Sequence, residues 1–127
     1  MDEDDIAREI VDAAICIHRE LGPGLLESVY EAVLAYELKE RGLKVERQVP
    51  VPITYLKLRF EEGFRADLIV GDLVVVELKS VSEITAAHRK QIQTYVKLKN
   101  LRLGLLLNFG AALMKNGIVR AANGMPE

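Results

Sequence analysis

The chain has 127 residues, of which 50% are hydrophobic and 28% charged, with a formal net charge of −2. This length suits one compact domain over residues 1–127 that buries roughly two-thirds of its unfolded surface, and the slight acidity excludes a general electrostatic attraction to nucleic acid. No apolar stretch approaches the roughly 20 residues needed to span a bilayer, and the acidic residues 1–5 are unlike a secretory signal, so the expectation is a cytoplasmic protein with no membrane partner.

Residues 5–21 carry Ile6, Ile10, Ala13, Ala14, Ile17 and Leu21 at the spacing of one helix face, which predicts a first helix. The one cysteine, Cys16, falls inside that pattern; it has no intramolecular disulfide partner and is expected to be buried and inert. Gly22-Pro23-Gly24 ends the helix, as glycine just past a helix end and proline beyond it commonly do. A second helix is predicted over residues 25–41, closed by Gly42. Near its start Gly24, Glu27 and Tyr30 recur at three-residue intervals, which puts Glu27 and Tyr30 on neighbouring positions of one face. By spacing alone, Glu27 complements the positive end of the helix dipole, an effect of roughly 0.3–1 kcal/mol, and Tyr30 packs.

Extended segments are predicted over residues 44–51 and 53–60, with Pro50 and Pro52 at a sheet edge or bend because neither can donate to a ladder. Two apolar strands follow, residues 64–70 and 73–80, and they hold the most informative side chains: Asp67 on the first, Glu77 and Lys79 on the second. An unpaired buried charge costs several kcal/mol or neutralises, so ionisable groups committed to Val/Leu/Ile strands require a reason. Glu77 and Lys79 are two apart and share a face. Two carboxylates and an ammonium at one sheet edge suit a divalent cation, an attacking water and an anionic substrate. The competing explanation is a structural acid–lysine pair on a solvated face. The connection between the strands decides whether a shared site can form. A two-residue turn Gly71-Asp72 would set Asp67 against Val76 and send Asp67 and Glu77 to opposite faces. A three-residue loop Gly71-Asp72-Leu73, or a bulge, sets Asp67 directly across from Glu77, and this odd-parity connection is the one predicted.

A third helix is predicted over residues 84–100. Its neighbourhood holds Arg89, Lys90, Lys97, Lys99 and Arg102 with no acidic residue from His88 to Arg102, either a solvated face or a phosphate-binding flank. His88, Gln91 and Tyr95 form a polar stripe at i, i+3 and i+7, beside the apolar Ile92, Val96 and Leu98. A lone surface histidine is more often exposed than a ligand, whereas Gln91 and Tyr95 can bind a phosphate, hold the strand carboxylates or pair with each other. An apolar strand over residues 103–108 follows. A last pair, residues 112–115 and 118–121, is predicted to turn as a hairpin at Asn116-Gly117.

These residues give the sequence a family resemblance over nearly its whole length. Leu21-Gly22-Pro23-Gly24-Leu25-Leu26-Glu27-Ser28-Val29-Tyr30, Glu46-Arg47-Gln48-Val49-Pro50, Arg65-Ala66-Asp67, Val76-Glu77-Leu78-Lys79, Gln91 with Tyr95, and Leu103-Gly104-Leu105-Leu106-Leu107-Asn108-Phe109-Gly110 occur in that order. The chain resembles the bacterial and archaeal family named for its Gly-x-x-Glu-x-x-Tyr motif (GxxExxY), part of the PD-(D/E)XK nuclease-like superfamily. The resemblance implies an α/β fold with a restriction-endonuclease-like αβββαβ core around a mixed central sheet. The first helix and the C-terminal hairpin would be additions. It implies that Asp67 is the aspartate of the second core strand, and Glu77 and Lys79 the acid and lysine of the third. Ala66 departs from the name-giving proline. Glu27 corresponds to the acid many members supply from the first core helix, and Gln91 with Tyr95 to the Gln-x-x-x-Tyr helix of exonuclease-like members.

The activity implied is a nuclease dependent on Mg²⁺ or Mn²⁺, acting on nucleic acid and on DNA before RNA. Asp67 and Glu77 would be direct ligands, the Leu78 backbone carbonyl a third, and Glu27 a ligand directly or through water. Lys79 would orient the water or stabilise charge on the phosphate, with Tyr30, Gln91 and Tyr95 binding substrate or fixing the carboxylates. The alternative is a catalytically inactive module of the same fold that binds nucleic acid or a protein partner. A chain this short has little surface to clasp a duplex, so a homodimer is compatible with either.

Overall fold

The computed structural model describes residues 1–126. Helix α1 (Glu3–Leu21) starts two residues earlier than its apolar spacing implies, because the acidic opening is its cap. The Asp2 side chain accepts from the Asp5 N–H and the Asp5 side chain from the Asp2 N–H, a reciprocal capping box. Its buried stripe is Ile6, Ile10, Ala13, Ala14 and Ile17. Cys16 is exposed, contrary to expectation, because it lies one position off that stripe. Helix α2 (Glu27–Glu40) follows and buries Tyr30, Glu31, Leu34, Ala35 and Leu38.

Five strands form one sheet in the order β1-β2-β3-β4-β5: β1 (Val45–Tyr55), β2 (Leu58–Val70), β3 (Val74–Lys79), β4 (Leu103–Asn108) and β5 (Ile118–Ala122). Only β3 and β4 run parallel, and helix α3 (Ala86–Lys99) makes the crossover between them. The order α2-β1-β2-β3-α3-β4 is the expected αβββαβ core of a mixed-sheet α/β fold, with α1 ahead of it and β5 behind. Helices α1 and α2 cover one face of the sheet through Leu68, Val70, Val74, Val76, Leu78, Leu105 and Leu107. Helix α3 covers the other through Ile69, Val75, Ile92, Val96 and Leu106. Alternate residues of β3 and β4 therefore serve opposite cores, as a period of two dictates.

Two segments depart from expectation. Residues 53–60 are not one extended piece but span the tight turn between β1 and β2, where Leu56 has φ 54°. The two strands form a long arm, and β1 lies at the sheet edge where Pro50 and Pro52 are tolerated. The hairpin expected at Asn116-Gly117 does not form; β5 pairs antiparallel with β4 instead. Residues 112–115, expected as its first limb, contribute instead to bends and to the 3-10 turn Met114–Gly117. The physical reason is packing: Met114 buries into the α1-side core, and Gly117 sits where a Cβ would come within 2.5 Å of the Asn108 carbonyl oxygen. Among the described residues, no helix is long and apolar enough to cross a membrane.

The α3 crossover depends on close approach at Gly104, where a Cβ would stand 2.3 Å from a Val96 methyl. Val96 is β-branched and buried, so it cannot rotate away. Gly104→Ala is therefore expected to cost about 1–3 kcal/mol through overpacking, read as a lower urea midpoint with an unchanged slope.

Candidate functional site

The β2–β3 ladder runs from Val70 opposite Val74 to Leu68 opposite Val76, joined by the three-residue loop Gly71-Asp72-Leu73. The next rung is built differently. The Asp67 N–H donates to Glu77 Oε2 at 3.1 Å, and the Leu78 N–H donates to Asp67 Oδ2 at 2.9 Å. Two side chains have replaced backbone partners, so the strands part in a fork with Asp67 and Glu77 facing each other across it. The predicted odd-parity connection is the one found. Val76 and Leu78 serve the α1/α2 core and Val75 the α3 core, so Glu77 and, two residues on, Lys79 point to the α3 side.

The fork coincides with a break on the other edge of β2. Pairing of β1 with β2 is interrupted at Gln48 and Asp67, and Gln48 takes a left-handed φ of 52°. Arg47 and Val49 consequently serve opposite faces: Arg47 reaches Glu31 on α2, and Val49 packs on the α3-side core. The Gln48 amide donates to Glu31 Oε1 at 2.5 Å and, at 3.4 Å, to Asp67 Oδ1. Glu31 is 6% exposed and is also held by Arg47 at 3.1 Å. A polar chain thus passes from α2 through the sheet to the fork, satisfying a buried carboxylate as burial requires.

Burial pushes the Glu77 carboxyl up to about 9. Its hydrogen bond to Asp67 and the charge there push the same way, while the Asp67 N–H and the Lys79 charge oppose them. Tyr95 lies close enough that, after burial, the charges of Glu77 and then Asp67 raise its phenol. Its ring stacks on Phe64 of β2 with centroids 3.9 Å apart and planes within 3°. Phe64 and Tyr95 form an aromatic wall beside the two acids.

Lys79 is anchored through its backbone. Its carbonyl accepts from the Phe109 N–H at 2.8 Å. Just beyond, buried Asn108 clamps the chain at Val81, with Oδ1 accepting from the Val81 N–H at 3.0 Å and Nδ2 donating to the Val81 carbonyl at 2.9 Å. The Lys79 side chain is half-buried and, among the described residues, makes no ion pair.

Of the residues singled out from sequence, the fold brings together Asp67, Glu77 and Tyr95, with Lys79 on the same face. The Leu78 N–H points into the fork, and the N–H and C=O of an extended residue point to the same side, so its carbonyl also faces it. Gln91 is exposed and makes no side-chain hydrogen bond among the described residues. Glu27 is the first residue of α2, exposed and unpaired among the described residues. Tyr30 is not a surface for substrate. It is fully buried against Phe109 at 4.4 Å, and its hydroxyl donates to the Gly22 carbonyl and accepts from the Leu25 N–H. That ties down the loop whose Leu25 carbonyl accepts from Ser80, next to Lys79. Sequence reasoning missed Glu31 and Gln48. The signal for Glu31 was available: it sits on the α2 core stripe with Leu34, Ala35 and Leu38, an acid where the spacing demands an apolar residue.

Among the described residues, no three His, Cys, Asp or Glu side chains gather into a group that could hold a metal ion. The donor set that does fit is the pair in the fork. Mg²⁺ takes oxygen ligands and keeps several waters, so two carboxylates suffice. Two abutting acids, one of them driven towards its neutral form, are also groups that a divalent cation would draw into ionisation.

The family model for the PD-(D/E)XK nuclease superfamily matches residues 4–121. Neither a curated protein nor a solved structure matches the chain.

The raised carboxyl has a stability consequence of definite sign. The unfolded chain loses this proton near 4.5 and the folded chain near 9, so stability contributed by the bound proton is lost as pH rises through that window. Glu77→Gln keeps the shape without the charge. With chelator present at about pH 8, the variant is expected to melt above the wild type, and the gap should close towards pH 4.5. Thermal melts across the window check this; a variant melting below the wild type at the alkaline end contradicts it.

Proposed function

The chain belongs to the PD-(D/E)XK nuclease superfamily, and we propose that it is a metal-dependent nuclease that hydrolyses phosphodiester bonds, in DNA before RNA, and that it falls within the GxxExxY branch. One observation carries the reading: Asp67 and Glu77 face each other in the β2–β3 fork with Lys79 on the same side of the sheet. A divalent cation of the Mg²⁺ or Mn²⁺ kind, when bound there, supplies a Lewis acid for the phosphate and acidifies a water.

The remaining chemistry belongs to the side chains. Asp67 and Glu77 would hold the cation, with the Leu78 carbonyl as a neutral third donor. Lys79 directs its ammonium into the site to orient the water or to offset charge growing on the phosphate oxygens. Tyr95 and Phe64 exclude water from one flank, which strengthens every charge interaction inside. Gln48 and Glu31 hold Asp67 from behind. Glu27, exposed at the start of α2 just after the turn that meets Ser80, would join Asp67 and Glu77 as a ligand directly or through water. Along α3, Arg89, Lys90 and Lys97 are exposed and make no ion pair among the described residues, which leaves them free for the phosphates of a strand, in a protein whose overall charge gives no attraction of its own. A cytoplasmic setting accords with this substrate.

A second reading, a catalytically silent module that binds nucleic acid or a protein partner, has one observation in its favour: burial drives Glu77 towards its neutral form at physiological pH. The two readings separate in one experiment. Cleavage of plasmid and oligonucleotide substrates with Mn²⁺ is expected for the wild type and is expected to fall roughly 100-fold or more in Asp67→Ala and in Lys79→Ala. Equal cleavage by all three proteins means contamination. No cleavage by any, together with salt-sensitive nucleic-acid binding that survives Asp67→Ala, establishes the silent module. Mn²⁺ should also raise the melting temperature of the wild type by mass action and leave Asp67→Ala unmoved.

A further inference from the structure

The arm formed by β1 and β2 ends in exposed apolar side chains, and its register sorts them by face. Val51 lies opposite Phe64, Ile53 opposite Phe60 and Tyr55 opposite Leu58, and cross-strand partners share a face. Phe64 serves the α3 side of the sheet. Alternation therefore carries Val51, Ile53 and Tyr55, with Phe60 and Leu58, onto that same side. Gly63 permits this where the register shifts, since a Cβ there would collide with the Ile53 side chain lying across it. The arm thus presents rings on the face that carries Glu77 and Lys79. Beyond the Phe64–Tyr95 stack come Phe60, 54% exposed, and Tyr55, 67% exposed. From Val51 to Tyr55 the reach is roughly 13 Å.

At the tip, the pairing of Tyr55 with Leu58 leaves the two-residue turn Leu56-Lys57. Leu56 holds a left-handed φ of 54° at 83% exposure, in a turn where glycine is favoured. A bulky residue in that conformation is strained, and strain retained where no packing requires it points to a use. Tyr55, Leu56, Lys57 and Leu58 line an open hollow of about 520 Å³, the size class of a small-ligand site. Lys57 is exposed and makes no ion pair among the described residues, and no acidic residue occurs between Glu46 and Glu61. Ring, aliphatic wall and ammonium meet in one place.

We infer that the arm is a track for single-stranded nucleic acid running out from the site, with bases on Phe60 and Tyr55, one of them in the tip hollow, and a phosphate on Lys57. The inference rests on the nuclease reading above and adds the path of the strand and its unpaired state. Surfaces that follow a single strand combine stacking rings with cations, and the ring faces here continue from the site itself. A second copy fits the tip less well. A stable dimer uses about 20–30 residues a side, whereas the tip offers Tyr55, Leu56, Leu58 and Phe60, and a two-fold contact there would bring two Lys57 ammoniums together.

Fluorescence anisotropy tests this with a labelled oligothymidylate of about 20 nucleotides, with chelator present so that cleavage plays no part. The wild type is expected to bind it more tightly than the same strand in a duplex or an abasic strand of equal length. Tyr55→Leu combined with Phe60→Leu keeps the apolar surface and removes the rings. That variant should bind roughly tenfold more weakly or worse, with circular dichroism unchanged, whereas Tyr55→Phe should bind as the wild type does. Lys57→Ala should lower the salt slope by about 0.7. An abasic strand bound equally well, a ringless variant that binds like the wild type, or a wild type that binds no strand would overturn the proposal. So would a tip that instead mediates self-association or binding to phosphatidylserine vesicles. Mn²⁺ cleavage of the same oligonucleotide is scored separately: cleavage with unchanged KM in the ringless variant removes the track alone, and cleavage by no protein removes the nuclease reading.

Discussion

Two hydrogen bonds at the mouth of the β2–β3 fork decide how the rest of this molecule is arranged. Where a ladder would join backbone to backbone, Glu77 accepts from the Asp67 N–H and Asp67 accepts from the Leu78 N–H. Each carboxyl thereby satisfies a main-chain donor that would otherwise be stranded in a buried sheet. The strands can separate without leaving orphaned groups, and from the other edge of β2 the Gln48 amide links Glu31 on one face to Asp67 at the fork. The left-handed Gln48 belongs to the same device: a backbone conformation uncommon for a non-glycine residue is retained because the side chain it presents is held at both ends.

The arrangement works against stability. Glu77 sits among Val75, Val76 and Leu78 with its charged form disfavoured, and Asp67 makes ionisation harder still. A neutral side chain that kept the acceptor oxygen, as glutamine would at position 77, would hold the main-chain donor without the cost of the charge. What the acids provide is a pair of oxygen donors at fixed separation, walled on one side by the Phe64–Tyr95 stack and faced by a lysine whose backbone is pinned by Phe109 and Asn108. Local violations of packing logic that are over-determined by their surroundings are where functional or strained positions are expected.

The sequence disclosed most where one physical rule dominated. β4 was legible from its continuous apolar run between helix and turn. The facing of Asp67 and Glu77 followed from parity, because a period of two leaves only odd loops able to bring them together. The failures have physical causes of the same grain. Cys16 lies within an apolar pattern yet one step off its stripe, so the surrounding residues gave a false cue to burial. Asn116-Gly117 has hairpin chemistry, but Gly117 is there because the Asn108 carbonyl leaves no room for a Cβ. Tyr30 reads as a motif residue, while its hydroxyl is wholly used in closing the Gly22–Leu25 turn. Glu31 was overlooked although it breaks the α2 stripe just as Asp67 and Glu77 break theirs.

The sheet thus divides its labour by face. The α3 side holds the ionisable groups and tolerates exposure, since α3 buries little beyond Ile92 and Val96 and presents basic residues outward. The α1/α2 side carries the larger core and supplies the rigidity on which the fork depends. Helix α2 takes part in both: Glu31 is linked to Asp67 through the Gln48 amide, and Tyr30 closes the turn beside β3. The Leu25 carbonyl, in that same turn, accepts from the Ser80 hydroxyl. The turn at residues 22–25 is therefore held from α2 through Tyr30 and from the end of β3 through Ser80, which fixes the start of α2 beside the segment that presents Lys79.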